Sequence, residues 1–204
     1  MRLRTIGIAW MLAVLLLGFG AVMPALAGEG HDHGHGEMPA EMAAWMKYMQ
    51  PDENHEFLQR LAGKWNAKGK FWMQPGEPPM ENEGTSESEM ILGGRFLQTS
   101  YSGEFMGQPF SGMALDGFDR MNEKYIGTWI DTMGTMMMVF EGSIDEAGRA
   151  RTMISEHKDP MTGEMAKMKG VTTIVSENEH KYEAYHQGPD GEWVKAMEIT
   201  YTRR

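Results

Sequence analysis

The chain has 204 residues, a formal net charge of −10, 22 methionines and no cysteine. An acidic chain without a basic block repels phosphate backbones, which argues against nucleic acid and anionic membranes as partners. The lack of cysteine excludes disulfides, thiolate catalysis and cysteine-ligated zinc, so one domain of this length must hold itself together by packing.

At the N-terminus, Arg2 and Arg4 precede an apolar run from Ile6 to Val22, and Ala25-Leu26-Ala27 supplies a small-x-small cleavage pattern. Together they predict a signal peptide over residues 1–27 and export to the periplasm or the medium. An uncleaved anchor is the alternative. The run is near the lower limit of the ~17–25 residues that span a bilayer, and Pro24 breaks the chain just beyond it, which favours cleavage after Ala27. No cysteine stands after the run to carry a lipid.

Residues 28–37 read as a flexible polar tail. Its His31-Asp32-His33-Gly34-His35 places three imidazoles at alternating positions among glycines. Imidazole nitrogens suit Cu(II), Ni(II) and Zn(II), so His31, His33 and His35 are the candidate metal ligands. An unstructured leader with no specific role is the plain alternative.

Two helices are expected over residues 38–62. The first runs from about Met38 to Met49, with Pro39 in its first turn and Pro51 ending it. Met38, Met42, Trp45, Met46 and Met49 recur at helical spacing, a stripe suited to docking on the body of the protein. The second runs from Asp52, a plausible N-cap residue, to Leu61, with Phe57, Leu58 and Leu61 facing inward. Gly63 stops it.

From Gly63 to Arg204 the period changes to two. Trp65, Ala67, Phe71 and Met73 alternate with Asn66, Lys68 and Lys70; Trp193, Met197, Ile199 and Tyr201 do the same at the C-terminus. Turn signals such as Pro75-Gly76, Gly93-Gly94, Asp119-Arg-Met-Asn122, Asp145-Glu-Ala-Gly148 and Gly188-Pro-Asp-Gly191 separate about ten short strand-like runs. Connections this short leave no room for crossover helices, so the fold is all-β and antiparallel. Closure into an up-and-down barrel, which removes exposed edges, is preferred to a two-sheet sandwich. No internal repeat or second domain is visible.

Leu61-Ala-Gly63-Lys-Trp65 resembles the entrance to lipocalin-like (calycin-type) barrels. That resemblance implies that Trp65 closes one end with a basic residue packed over it, here Arg203 or Arg204. A longer set is similar to a bacterial family of unknown function, domain 1579: Ile91-Leu-Gly-Gly-Arg-Phe-Leu97, Gly107-x-Pro-Phe-x-Gly112, Gly117-Phe-Asp119, Trp129-x-Asp131 and Met197-Glu-Ile-Thr-Tyr-Thr-Arg203. It spans about residues 53–204 and implies the barrel, without an activity.

Catalytic signatures are sparse. His55-Glu-Phe-Leu-Gln59 lacks the second histidine of a zinc-protease helix, and no Gly-x-Ser-x-Gly elbow or phosphate-binding loop occurs. His157, His180 and His186 are scattered singly. Asp116, Asp119 and Asp131 lie near aromatics, where a paired-carboxylate site or ordinary turn caps are the two readings. With no nucleophile–base set to name, an enzyme is the least favoured class.

The methionines serve either as flexible core filler or as thioether ligands for Cu(I), and their strand-like setting favours filler. Inside a barrel, Trp129, Met136, Met138 and Tyr201 are the expected lining for a small apolar or amphipathic molecule, with a solid core as the alternative. The sequence therefore reads as an exported ligand-binding barrel. The alternative is a periplasmic copper-, zinc- or nickel-binding protein acting through its tail.

Overall fold

A computed structural model describes residues 38–204. The expected signal segment 1–27 and the tail 28–37, with His31, His33 and His35, lie outside the described residues. Among the described residues, no helix is long and apolar enough to cross a membrane.

Two short helices come first: α1 (Ala40–Tyr48) and α2 (Glu53–Leu61). Helix α2 begins where a capping box forms. Asp52 Oδ1 accepts from the Asn54 backbone N–H, while the Asp52 N–H donates to His55 Nδ1. Both bonds satisfy donors that a helix start leaves open. Phe57, Leu58 and Leu61 then share the inward face, and all three are buried.

Helix α1 departs from the expected docking mode. None of its residues is buried, and Met42, Trp45, Met46 and Met49 are each about half exposed. It is attached by the carbonyls of its C-terminal end instead. Arg95 donates from Nη2 and Nε to the Met49 carbonyl at 2.7 and 3.1 Å, and Arg120 donates to the carbonyls of Lys47 and Gln50. Cations at the negative pole of a helix are favourable, and they fix this one without using its apolar stripe.

Ten antiparallel strands complete the chain: β1 (Gly63–Phe71), β2 (Met80–Ile91), β3 (Phe96–Phe105), β4 (Gln108–Asp119), β5 (Lys124–Asp131), β6 (Met138–Ile144), β7 (Ala150–Lys158), β8 (Met165–Ser176), β9 (Glu179–Gln187) and β10 (Trp193–Arg203). Each pairs with its sequence neighbours, and β1 pairs with β10, so the meander closes into a barrel without an open edge. The turns use the expected chemistry. Met106 and Gly107 both have positive φ in the β3–β4 hairpin, and the Asp119 carboxylate accepts from the N–H groups of Met121 and Asn122 at the next turn.

The register settles which side chains face inward. Trp65 opposes Arg203 and Ser86, Ala67 opposes Tyr201 and Gly84, and Trp129 opposes Met138 and Ala114. Strand β6 starts at Met138, because its first pairing is with Trp129. Met136 therefore lies in the preceding loop, 42% exposed, and not on the strand face expected for it.

The interior falls into two apolar clusters. One gathers Phe57, Leu58 and Leu61 of α2 against Leu97, Tyr125, Phe140, Met153 and Ile174, closing one end. The other centres on Ala67, Tyr101 and Ile199, with Phe110, Tyr182, Met197 and Tyr201 beside them. Trp129 packs against both.

Candidate functional site

At the closed end the geometry is set by one strand start. Trp65 is 1% exposed, and its Nε1 donates to the Leu61 carbonyl at 3.0 Å. The Arg203 guanidinium sits 4.1 Å from the Trp65 ring centroid and donates to the carbonyls of Ala62 and Glu177. Gly63, at φ +141°, leaves room for that guanidinium, since a Cβ there would collide with it. The expected trio Gly63, Trp65 and Arg203 thus forms one plug, with Arg203 rather than Arg204 over the ring.

Behind the plug, His180 is 8% exposed and wedged between two rings. Trp65 meets it edge-on at 4.4 Å, and Tyr201 stacks on it at 4.4 Å. Burial, together with the nearby positive charge of Arg203, lowers the His180 pKa to about 4. The ring is therefore neutral at neutral pH and acts as packing.

Against the α2 cluster lies a charged pair that sequence reasoning did not single out. Arg151 points inward from β7 and Asp116 from β4, with Nη1 2.9 Å from Oδ1 and side chains only 7% and 14% exposed. The two strands are separated by β5 and β6. Gly127 on β5 provides the passage, because a Cβ there would come within 2.6 Å of Asp116 Oδ1. The guanidinium also lies 5.6 Å from the Tyr125 ring and 5.7 Å from the Phe57 ring. Arg151 Nε has no hydrogen-bond partner among the described residues. The available signal in the sequence was parity: Arg151 shares its strand face with Met153 and Ser155, and Asp116 shares one with Ala114 and Phe118.

Tyrosines complete the polar lining. Tyr182 opposes Thr172 and Ile199, and its hydroxyl lies over Gly170. Burial pushes its pKa up to about 12, with Arg151 pulling it down and Asp116 pushing it up, so the hydroxyl is within electrostatic reach of both. Burial raises the Tyr201 pKa as well. Both hydroxyls stay protonated at ordinary pH and can donate as well as accept. Ser88 and Thr99, also inward, share a hydrogen bond of 2.9 Å.

The other expected lining residues have clear positions. Trp129 faces inward, partly buried, with Nε1 donating to Asp131 Oδ2 at 2.7 Å and its ring stacked on Phe110. Met138 faces it from β6, and Tyr201 lies across on β10. Of the three acidic candidates, Asp119 is a turn cap, Asp131 orients Trp129, and Asp116 is neither. It belongs to the interior ion pair.

Two recesses open to solvent. One of about 1120 Å³ lies mainly along the outer wall, where Lys68, Lys70, Glu81, Glu83 and Thr200 line it. A smaller one of about 450 Å³ adjoins the start of α2, lined by Asp52, Asn54, Arg120 and Tyr125. Trp129 and Met138 line neither, so these recesses are not the expected enclosed void. Among the described residues, no three His, Asp or Glu side chains gather to hold a metal ion.

These features define a ten-strand antiparallel barrel, stoppered by a helix at one end and carrying a polar cluster inside. Residues 50–203 match the family described as protein of unknown function (DUF1579), and the chain belongs to that family. The crystal structure of Rv2717c from M. tuberculosis is similar, with a TM-score of 0.57 at 14% identity, covering 76% of this chain and 99% of that one. This likeness supports the fold. A redesigned beta barrel overlaps at a TM-score of 0.38 and 16% identity, covering 72% of this chain and 94% of that one. EF1p2_mFAP2b bound to DFHBI overlaps at 0.37 and 13% identity, covering 74% of this chain and all of its own. No curated protein matches.

Proposed function

We propose that this is an exported binding protein whose barrel interior holds one small amphipathic molecule. The observation that carries the reading is Asp116. Its carboxylate faces inward beside Arg151, yet keeps 14% of its surface exposed. An inward-facing ion pair that keeps part of its surface accessible supports an interior that is not filled solid by side chains. Tyr182, Tyr201 and Trp129 are likewise inward-facing and only partly buried. Aromatic and thioether walls with a few polar groups are the usual composition of a small-molecule site.

Export rests on the N-terminal pattern of Arg2, Arg4, the apolar run and Ala25-Leu26-Ala27. Native mass spectrometry of the purified protein tests the binding reading. A retained organic mass released by unfolding supports it. An unliganded protein that takes up no amphipathic probe contradicts it.

A second reading has its own observation, the three alternating imidazoles of His31, His33 and His35. It assigns Cu(II), Zn(II) or Ni(II) to the tail. Ligation needs neutral imidazole, so affinity falls with pH near ~6.5. A chain starting at Met38 then loses the affinity; equal affinity without the tail contradicts this assignment.

A further inference from the structure

The β2–β3 seam of the barrel is incomplete, and the larger recess lies at the break. The two strands pair from Ile91↔Phe96 as far as Gly84↔Gly103, and the ladder stops there. Neither strand ends at that point. Strand β2 stays paired with β1 down to Met80↔Phe71, and β3 stays paired with β4 down to Phe105↔Gln108. Two facing glycines offer no cross-strand side-chain contact, and the Tyr101 hydroxyl lies over them, 2.5 Å from where a Gly84 Cβ would stand. Past them Asn82 ties the strands together by donating from Nδ2 to the Glu104 carbonyl at 2.9 Å. Its Oδ1 is shut off from solvent and has no partner among the described residues. One side-chain bond with an unmet acceptor is a weaker closure than a ladder.

The recess of about 1120 Å³ is lined from both faces of the sheet. By register, Lys68, Glu83 and Glu104 point outward, whereas Phe71, Asn82 and Phe105 point inward. A space bordered by both faces reaches through the wall. On its inner side the rings form a row. Phe105 lies 5.5 Å from Phe71 and 6.5 Å from Phe110, and Phe110 stacks on Trp129 at 6.5 Å. The row joins the recess to the interior cluster around Ala67, Tyr101 and Ile199.

The outer lip interleaves cations and anions. Lys68 Nζ is 3.3 Å from Glu83 Oε1, and Lys70 opposes Glu81 and Glu198. A charged ligand would meet lip charges that are already countered and would lose water against the rings. An uncharged ring gains aromatic contact without that loss.

On the barrel-binding reading above, we propose that this break is the mouth of the binding site, and that it takes an uncharged, ring-bearing molecule that seats against Phe71 and Phe105 on its way to Trp129.

The test uses N-phenyl-1-naphthylamine, an uncharged probe that fluoresces in apolar surroundings, and its anionic relative 1-anilinonaphthalene-8-sulfonate. Because the chain has no cysteine, a single one can be introduced and capped selectively. Glu104→Cys stands at the mouth. Val139→Cys stands on the half-exposed outer face of β6, separated from β3 by β4 and β5. Each folded variant is compared before and after reaction with polyethylene-glycol maleimide. The cap at position 104 should slow uptake of the uncharged probe about tenfold, and the cap at position 139 should leave it unchanged. Phe105→Leu keeps apolar bulk but removes a ring, and should weaken that probe several-fold. The wild type should hold the uncharged probe about tenfold more tightly than the sulfonate.

Uptake that ignores the cap at position 104, or equal slowing by both caps, would overturn the mouth. Unchanged affinity in Phe105→Leu, or equal binding of the two probes, would overturn the ligand class. In those cases the binding reading survives. If neither probe binds the wild type, both fall.

Discussion

The two ends of the barrel differ in how tightly they are closed. At the α2 end, Trp65 Nε1, the Arg203 guanidinium and the α2 start all have partners, and Phe57, Leu58 and Leu61 exclude water. Toward the other end, the buried Ser155 Oγ and His157 Nδ1 have no partner among the described residues, and Trp129 remains partly exposed. Native interiors rarely leave polar atoms unpaired, and such exceptions mark places where water or a ligand completes the set. One end carries stability and the other leaves chemistry open.

The largest effect should come from emptying the plug. Trp65→Ala removes a fully buried ring together with its hydrogen bond and the surface Arg203 covers, and should cost about 3–5 kcal/mol in denaturant unfolding. Near-wild-type stability would break the contrast between the ends.

Acid should attack the same end through His180. Its folded pKa, about 4, lies below the ordinary value of 6.5. Between those values the unfolded chain binds a proton that the folded chain refuses, so stability falls as pH drops from 6.5 toward 4. The loss is on the order of 3 kcal/mol once both limits are passed. Unfolding midpoints at pH 7 and pH 4.5 measure it, and His180→Phe should flatten the slope.

Asp52→Ala should cost less, about 0.5–2 kcal/mol, because it removes the α2 cap. It also removes an ion pair with Arg120, 2.8 Å away. Burial opposes ionisation of Asp52, but its contact with His55 and the hydrogen bonds donated by Asn54, with help from Arg120, hold its pKa below 3.8. Its contribution is therefore present above that pH and disappears only below it, under the His180 window. A pH scan of the two variants separates them.

The smallest effects belong to groups that touch neither end. Met136→Ala, in an exposed loop, should change stability by less than about 0.5 kcal/mol, whereas Met138→Ala should cost about 1–3 kcal/mol. Equal costs would place Met136 in the core and contradict the register.

The plug was legible in the sequence because its parts are local or terminal: a Gly-x-Trp entrance, an Asp at a helix start, and arginines at the chain end. The strand count could be read from alternation and turn residues. What the sequence did not disclose depends on strand order and reach. Asp116 and Arg151 meet only because β4 and β7 curve around the same interior, with Gly127 clearing the path. The stripe of α1 read as a docking face because its period is correct, but Arg95 and Arg120 hold that helix by its carbonyls. Met136 shares the parity of Met138, yet β6 begins only where Trp129 finds a partner.

The most direct test of the binding account is fluorine NMR of the protein labelled with 5-fluorotryptophan, with Trp129 assigned through Trp129→Phe, during titration with a small amphipathic probe. Trp129 lines the barrel between both core clusters, while Trp45 lies on the exposed α1 and Trp193 beside Lys169 on the outer wall. The account predicts that the Trp129 resonance shifts and saturates while those of Trp45 and Trp193 stay in place. A Trp129 resonance that does not move, or a shift confined to Trp45, would contradict it.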